Sequence, residues 1–339
     1  DFVTARTEFY AHPSALPQVE RSSIKQDLHR RDFTINTLAI DLTPQHYAEL
    51  LDFYGGESDL RQGLIRVLHS LSFVEDPTRM LRAARLEQRL GFRLEARTAE
   101  LLVGALDLLD RVSGERIYHE LRLIFQEAEP ERALRRLDEL GVLRQIHPAL
   151  QVDEWMVQRM VMLRSVLHDT PWAGVRPGEV HYLGLLTARL FEADQRALMT
   201  RLRLRAAHVA VLEQVRSLLA TRLPQLSQPQ RPSHIYHLLA DYSSDSLLIA
   251  WLVTEDEIGR AQLAQFQREL RGVVPIINGH YLRRHLRLPP GPVYRQVLDE
   301  LRAARLDGQV VTLEDEQAWL QSWLAEHGYP QHLSERDTP

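Results

Sequence analysis

Four short segments combine charged and small hydrogen-bonding residues in spacings that could do chemistry. The first is Asp27-Leu28-His29-Arg30-Arg31-Asp32-Phe33-Thr34-Ile35-Asn36, where a helix should give way to a strand. Arginines at such a corner can hold phosphate or ribose oxygens, because the guanidinium donates in a planar fork. Taken alone, the segment reads equally as a solvated helix end. The second is Leu51-Asp52-Phe53-Tyr54-Gly55-Gly56-Glu57-Ser58-Asp59-Leu60. Its glycines allow a tight turn and Asp59 falls in the first turn of a helix, so a structural role is the stronger reading. The third, Val74-Glu75-Asp76-Pro77-Thr78-Arg79-Met80-Leu81-Arg82-Ala83-Ala84-Arg85, is the most informative. Arg79, Arg82 and Arg85 recur every third residue and form a drifting stripe on one side of a helix. Asp76 and Arg79 face the same way from its N-terminus. The plain account is an Asp–Arg i,i+3 pair, worth a few tenths of a kcal/mol, with two exposed arginines. The fourth, Ser113-Gly114-Glu115-Arg116-Ile117-Tyr118-His119-Glu120-Leu121, looks like a helix start and says little by itself.

The elements that must position these groups change character near residue 70. Before it the chain reads as mixed α/β. Phe2 to Tyr10 alternates and is rich in β-formers, so a strand is expected. A Pro- and Ser-containing loop follows from His12 to Ser23, and Ser23 can cap a short helix from Ile24 to Arg31. Thr34–Leu42 and Tyr47–Phe53 resemble a hairpin, and Glu57–Gly63 a short helix. After residue 70 helix follows helix. Asp76-Pro77 is a helix-start signal and Gly91 a stop, framing Thr78–Leu90. Glu95–Leu109, Ser113–Glu127 and Pro130–Leu140 keep the amphipathic 3.6 period. More helices are expected from Trp155 to Arg222, broken at Thr170-Pro171-Trp172. Pro224–Pro232 is a polar breaker, Val293–Arg305 a helix, and Thr312 caps a last helix reaching about His327. The five tryptophans read as core or groove anchors.

Composition sets limits. The chain has 339 residues, 44% hydrophobic and 26% charged, which suits a globular protein with two or more cores. It contains no cysteine, which excludes disulfides, thiolate catalysis and cysteine-ligated zinc. No apolar run is long enough to span a membrane, and the default compartment is the cytoplasm. Formal net charge is −5, so any nucleic-acid binding must use local patches. Lys25 is the only lysine, leaving arginine to carry nearly all the positive charge. The chain starts at Asp1, inside strand-like sequence and without Met, which reads as a fragment.

Taken together and in order, the segments resemble the class II tRNA nucleotidyltransferase and poly(A) polymerase family. The residues that carry the resemblance are Arg6-Thr7-Glu8, Arg30-Arg31-Asp32-Phe33-Thr34-Ile35-Asn36, Asp52 with Gly55-Gly56 and Asp59-Leu60, and Glu75-Asp76-Pro77 with Arg79. Pro17 to Ser23, and Leu306-Asp307-Gly308 with Glu314-Asp315-Glu316, look most like the larger, CBS-domain-fused members. The resemblance implies an α+β fold. Residues 1–70 would close a nucleotidyltransferase head, with a helical neck at 71–128, a body at 129–223 and a tail at 224–339. The family pattern also requires an upstream Gly-Gly-x-x-Arg-Asp segment and an Asp-x-Asp pair, and neither lies in these residues. Those carboxylates hold the two magnesium ions that activate the RNA 3′ hydroxyl and neutralise the triphosphate. This chain alone is therefore expected not to transfer nucleotides, with Glu8 a candidate auxiliary beside the missing hairpin.

By the same resemblance the partners are CTP and/or ATP and the acceptor end of tRNA. Arg31 would contact the nucleotide near its sugar and phosphates, and Asp32 and Asn36 would order that corner. Asp76 and Arg79 would read the base. Cytosine and adenine both place an exocyclic amino donor beside a ring acceptor, which suits a carboxylate next to a guanidinium; uracil puts a carbonyl against the carboxylate. Arg82 and Arg85 would meet phosphates or support Asp76. The helical remainder would hold tRNA by shape and backbone charge through Arg132, Arg135 and Arg136, through Arg201, Arg203 and Arg205, or through Arg283, Arg284 and Arg287. Each of these is equally a solvated face. A homodimer is compatible with the sequence, as is a non-catalytic RNA-binding or dimerising fragment. CCA-adding, CC-adding, A-adding and poly(A)-making members share these motifs. A more distant alternative is an HD-type phosphohydrolase using His168-Asp169, with His147, His181 and Asp194 in helical sequence nearby.

Overall fold

The computed structural model describes residues 3–9, 18–166, 171–172, 175–286 and 291–329. The chain divides into two compact units, residues 1–164 with 177–212, and residues 165–176 with 213–339.

The first unit opens with β1 (Arg6–Phe9) paired antiparallel to β2 (Gln18–Arg21), with Arg6 opposite Arg21. The sequence reading had placed the second of these strands in a loop. Only Val19 is apolar in β2, so alternation gives no signal, and pairing with β1 defines it. Helix α1 (Ile24–His29) starts at Ser23, whose hydroxyl accepts from the Gln26 amide. Its Asp27 carboxylate accepts the Arg6 amide at 3.0 Å and ties α1 to β1. The expected hairpin is reduced to β3 (Ala39–Ile40) and β4 (Leu50–Leu51), after a single 3₁₀ turn at Thr34–Asn36. Helix α2 (Gly56–Gln62) is capped by Asp52, which accepts the Gly56 and Glu57 amides at 2.8 and 3.1 Å. Gly56 is required here: a Cβ would lie 2.3 Å from the Thr34 carbonyl oxygen.

Strand β5 (Leu64–Ile65) pairs in parallel with β6 (Arg93–Leu94), and α3 (Ser72–Glu75) and α4 (Arg79–Leu90) form the crossover. Helix α4 stops at Gly91, whose φ of 66° is left-handed. Helix α5 (Ala96–Val103) ends at Gly104, and a 3₁₀ turn at Leu106–Arg111 replaces the continuous helix expected to Leu109. A glycine inside a helix costs roughly 1 kcal/mol relative to alanine, enough to favour the break there. Then come α6 (Gly114–Phe125), α7 (Pro130–Glu139), α8 (Val142–Ile146), α9 (Glu154–Ser165), α10 (Glu179–Thr187), α11 (Glu192–Arg201) and the start of α12 (Ala206–Ser217). Met80, Leu81, Ala83 and Ala84 of α4 are wholly buried, as are Ile117 and Ile124 of α6. Burial of one face of α4 leaves its charged positions to face a shared cluster.

The second unit contains the rest of α12, then α13 (Pro232–Leu239), α14 (Ser244–Val253), α15 (Glu257–Gln265), α16 (Gly279–Leu286), α17 (Pro292–Leu306) and α18 (Leu313–Glu326). Trp172 is buried and lies 6.0 Å from the Trp251 ring. Val297 and Leu301 of α17 pack with Leu320, Trp323 and Leu324 of α18. Thr312 and Asp315 cap α18 reciprocally, as the sequence suggests. Among the described residues no helix is long and apolar enough to cross a membrane.

Candidate nucleotide and base-selection site

The third and first sequence segments meet in the first unit. Asp76 precedes α4 and is only 8% exposed. Its Oδ1 accepts the Thr78 amide at 3.0 Å, the Thr78 hydroxyl at 2.5 Å and Arg116 Nη2 at 2.8 Å. Its Oδ2 accepts Arg82 Nη2 at 2.6 Å. Burial raises the Asp76 pKa, but Arg82, Thr78 and Arg116 outweigh it and hold the carboxyl below its ordinary value.

Arg82 joins three acids. Besides Asp76 it donates from Nε to Glu120 Oε1 at 3.1 Å and from Nη1 to Asp32 Oδ2 at 3.3 Å. Asp32 in turn accepts its own neighbour's amide, Phe33 N–H, at 3.0 Å and Asn36 Nδ2 at 2.8 Å, so the Arg31-Asp32-Asn36 corner is tied directly to α4. Glu120 has its other oxygen, Oε2, buried without a hydrogen-bond partner. Burial raises its pKa, and Arg82 and Arg85 offset this only in part.

Arg79 lies deeper still, at 3% exposure. It does not pair with Asp76 in the simple i,i+3 fashion that the sequence offered as the plain account. Its Nη2 donates to the Arg30 carbonyl at 2.9 Å and its Nη1 to the Ser72 carbonyl at 3.3 Å, with Glu75 at 3.8 Å. Its Nε is buried and unpartnered. Arg85, further along the stripe, pairs with Glu127 at 3.1 Å. Arg31 is half-exposed and lies 3.5 Å from Asp27. Burial raises the Asp27 pKa, but the Arg6 amide, Arg30 and Arg31 together lower it overall. The structure thus brings Asp32, Asn36, Asp76 and Arg82 into one connected network, with Arg79 linked to it through the backbone of Arg30. Arg31 and Arg85 stand at its margins. Glu8 lies in β1 opposite Val19.

Two residues of this network were missed in the sequence, Arg116 and Glu120. Both come from the fourth segment, which alone says little. Their i,i+4 spacing puts them on one face of α6, and that is the signal available. Helix α6 is seated closely: a Cβ on Gly114 would lie 1.8 Å from the Arg201 carbonyl oxygen.

The arginines expected to hold RNA are placed unequally. Arg132 is exposed and pairs with Glu129, and Arg135 pairs with Glu154. Arg136 pairs with the buried Glu87 at 2.6 Å, and Arg201 donates to the Val112 and Leu109 carbonyls. These two brace the fold, which differs from the open patches expected. Arg203 pairs with Glu115, and Arg205, Arg283 and Arg284 are exposed. Arg287, His168 and Asp169 lie outside the described residues. His147 and Asp194 approach to 4.0 Å, while His181 is buried and its Nδ1 accepts the Gly178 amide. Among the described residues no group of three or more His, Asp or Glu could hold a metal ion.

A small α+β segment closing onto a charged helix mouth, followed by helix upon helix, defines a nucleotidyltransferase-type head with a helical array. The description "Poly A polymerase head domain" matches residues 1–66, and "Probable RNA and SrmB- binding site of polymerase A" matches residues 91–153. An A-adding tRNA nucleotidyltransferase of Geobacter sulfurreducens is 40% identical over 93% of this chain and 37% of its own length. Another A-adding tRNA nucleotidyltransferase, of Halalkalibacterium halodurans, is 30% identical over 93% of this chain and 72% of its own. The structure of the Thermotoga maritima CCA-adding enzyme complexed with tRNA superposes with a TM-score of 0.74 at 31% identity, covering 91% of this chain and 77% of that one. The chain belongs to the tRNA nucleotidyltransferase and poly(A) polymerase family, whose members generally use a divalent metal. It spans little more than a third of the length of the Geobacter relative.

Proposed function

We propose that the protein carrying this chain is an A-adding tRNA nucleotidyltransferase, and that Asp76 and Arg79 select the base. In this reading residues 1–70 complete the head, 71–128 form the neck, 129–223 the body and 224–339 the tail. The metal is magnesium, held by an Asp-x-Asp pair that these residues do not contain, so this chain alone is inactive. The observation that carries base selection is an incomplete set of bonds. Arg79 keeps its Nε–H unpartnered, three residues from the Asp76 carboxylate at the mouth of α4. Adenine supplies the complement of both, an amino donor and a ring acceptor. Fixing each side chain by several other bonds preorganises the pair, so little entropy is lost when the base arrives. Addition of A, rather than of C or of CCA, is favoured because relatives matching 93% of the chain carry that name. The partners are accordingly ATP and the tRNA acceptor end.

The intact protein should extend tRNA ending in CC by one A, and leave tRNA ending before the CCA or after the first C unextended. In that assay Asp76→Ala should lower the preference for ATP over UTP by roughly 10- to 100-fold, the equivalent of about 1–3 kcal/mol of lost readout. An equal loss for all four nucleotides would sink the base-reading assignment.

A further inference from the structure

Arg79 is held by two carbonyls from separate parts of the chain, Arg30 just after α1 and Ser72 at the start of α3. The side chains next to those two points touch each other. The rings of His29 and His69 stack with centroids 5.2 Å apart and planes inclined by 11°. Each histidine is anchored in its own segment through its backbone. His69 donates its amide to the Ser72 hydroxyl at 3.4 Å and accepts the Ser72 amide at its carbonyl at 3.2 Å. His29 is the last residue of α1 and precedes Arg30 directly. A second link runs through side chains: His69 Nε2 is 3.5 Å from Glu75 Oε2, and the same oxygen is 3.8 Å from Arg79 Nη1. The charged and titratable groups facing His69 are thus His29 from α1, Glu75 from α3 and Arg79 from α4. Tyr54 packs on the far side of His29 at 5.6 Å.

We propose that His69 is a positioning residue for Arg79, acting through its stack on His29 and its contact with Glu75, so that base preference at this site depends on pH. The proposal rests on the reading of Arg79 as a base reader. With the His69 ring neutral, the stack draws the Arg30 and Ser72 carbonyls toward one another around the guanidinium. Protonating His69 sets a cation against the His29 ring and beside the Arg79 guanidinium. It also gives Glu75 a stronger claim on His69 than on Arg79. Burial, together with His29 and Arg79, holds His69 below the ordinary imidazole value in spite of Glu75, which keeps the ring neutral near pH 7. Acidification should therefore loosen the seat of Arg79.

The test uses the intact protein with tRNA ending in CC and measures kcat/KM for ATP and for UTP from about pH 8 to about pH 5.5. In the wild type the ATP-to-UTP ratio should fall by about tenfold toward the acid end, the size of one lost base contact. His69→Gln should flatten that profile while leaving kcat with ATP near the wild-type value at pH 8. His29→Gln should do the same, and Glu75→Gln should reduce the slope, so the proposal does not depend on any single variant folding. A His69→Gln profile that still falls like the wild type overturns it. Arg79→Ala runs alongside: if it leaves the ratio at pH 8 unchanged, the base-reading assignment itself fails. If Arg79→Ala abolishes the ratio but the histidine variants keep the wild-type slope, only the positioning role fails.

Discussion

Two buried clusters of acid and arginine, one in each unit, follow opposite rules. In the second unit Glu316 is 0% exposed and both its oxygens are bonded: Oε1 accepts the Ile276 amide at 3.0 Å and Arg305 at 2.7 Å, and Oε2 accepts the Ile277 amide at 2.8 Å. One carboxylate thereby fastens α18 to α17 and to the segment leading into α16. In the first unit Asp32, Asp76 and Glu120 share Arg82, and Arg116 adds a second cation. The bonds there do not close: Glu120 Oε2 and Arg79 Nε remain buried without partners. Each such atom costs about 1–3 kcal/mol. A fold tolerates that where the unmatched atoms meet something else, and a matched cluster has nothing left to offer a ligand. Between these two clusters, the one with unmatched buried atoms is the one with something left to offer a ligand.

The strongest way to break this distinction is to damage the fastening. Glu316→Ala leaves Arg305 and two amides facing an apolar core and should lower stability by about 3–5 kcal/mol in urea unfolding. The ATP-to-UTP ratio of the folded fraction should stay unchanged. A loss of base preference in that variant would mean that the two clusters are not separate in function. A smaller effect is expected from Gly114→Ala, which sharpens the comparison from the other side. The new methyl would meet the Arg201 carbonyl, and relieving a clash of that kind costs about 1–3 kcal/mol. Helix α6 would have to shift, carrying Arg116 and Glu120 with it. This variant should therefore lose both stability and base preference, in contrast to Glu316→Ala.

Much of this was legible in the sequence, for reasons that differ by element. Helices α4, α6, α7, α17 and α18 show in the amphipathic period with caps or stops, because their signals are local. Strand β2 was not legible, since three of its four residues are polar and only the pairing with β1 orders them. Arg79, Asp76 and Asp32 stand out as a motif, yet their bonding does not. The sequence offers Arg79 to Asp76 at i,i+3, and the fold instead gives Asp76 to Arg116, from a helix forty residues away, because α6 packs across α4. The bonds of Arg136 and Arg201 were hidden for the same reason. A surface arginine and a buried brace have the same local sequence, and only the neighbouring Glu87 or the Val112 carbonyl tells them apart.

The smallest expected effect distinguishes the two acids that share Arg82. Asp76 has a lowered pKa, so it contributes stability above its unfolded value of 3.8, and that contribution is lost as pH falls through the folded value. Glu120 has a raised pKa, so the folded state holds its proton more tightly than the unfolded chain does. Its effect has the opposite sign: the carboxylate subtracts stability as pH rises from 4.5 through the folded value. Glu120→Gln keeps an oxygen that can accept from Arg82 Nε and removes the charge. The difference in unfolding free energy between Glu120→Gln and the wild type should be near zero at about pH 4 and should grow in favour of the variant toward pH 7. A difference that runs the other way, with the variant losing stability as pH rises, would mean that Arg82 compensates Glu120 fully. The unmatched oxygen would then be no sign of a site, and the contrast with Glu316 would reduce to burial alone.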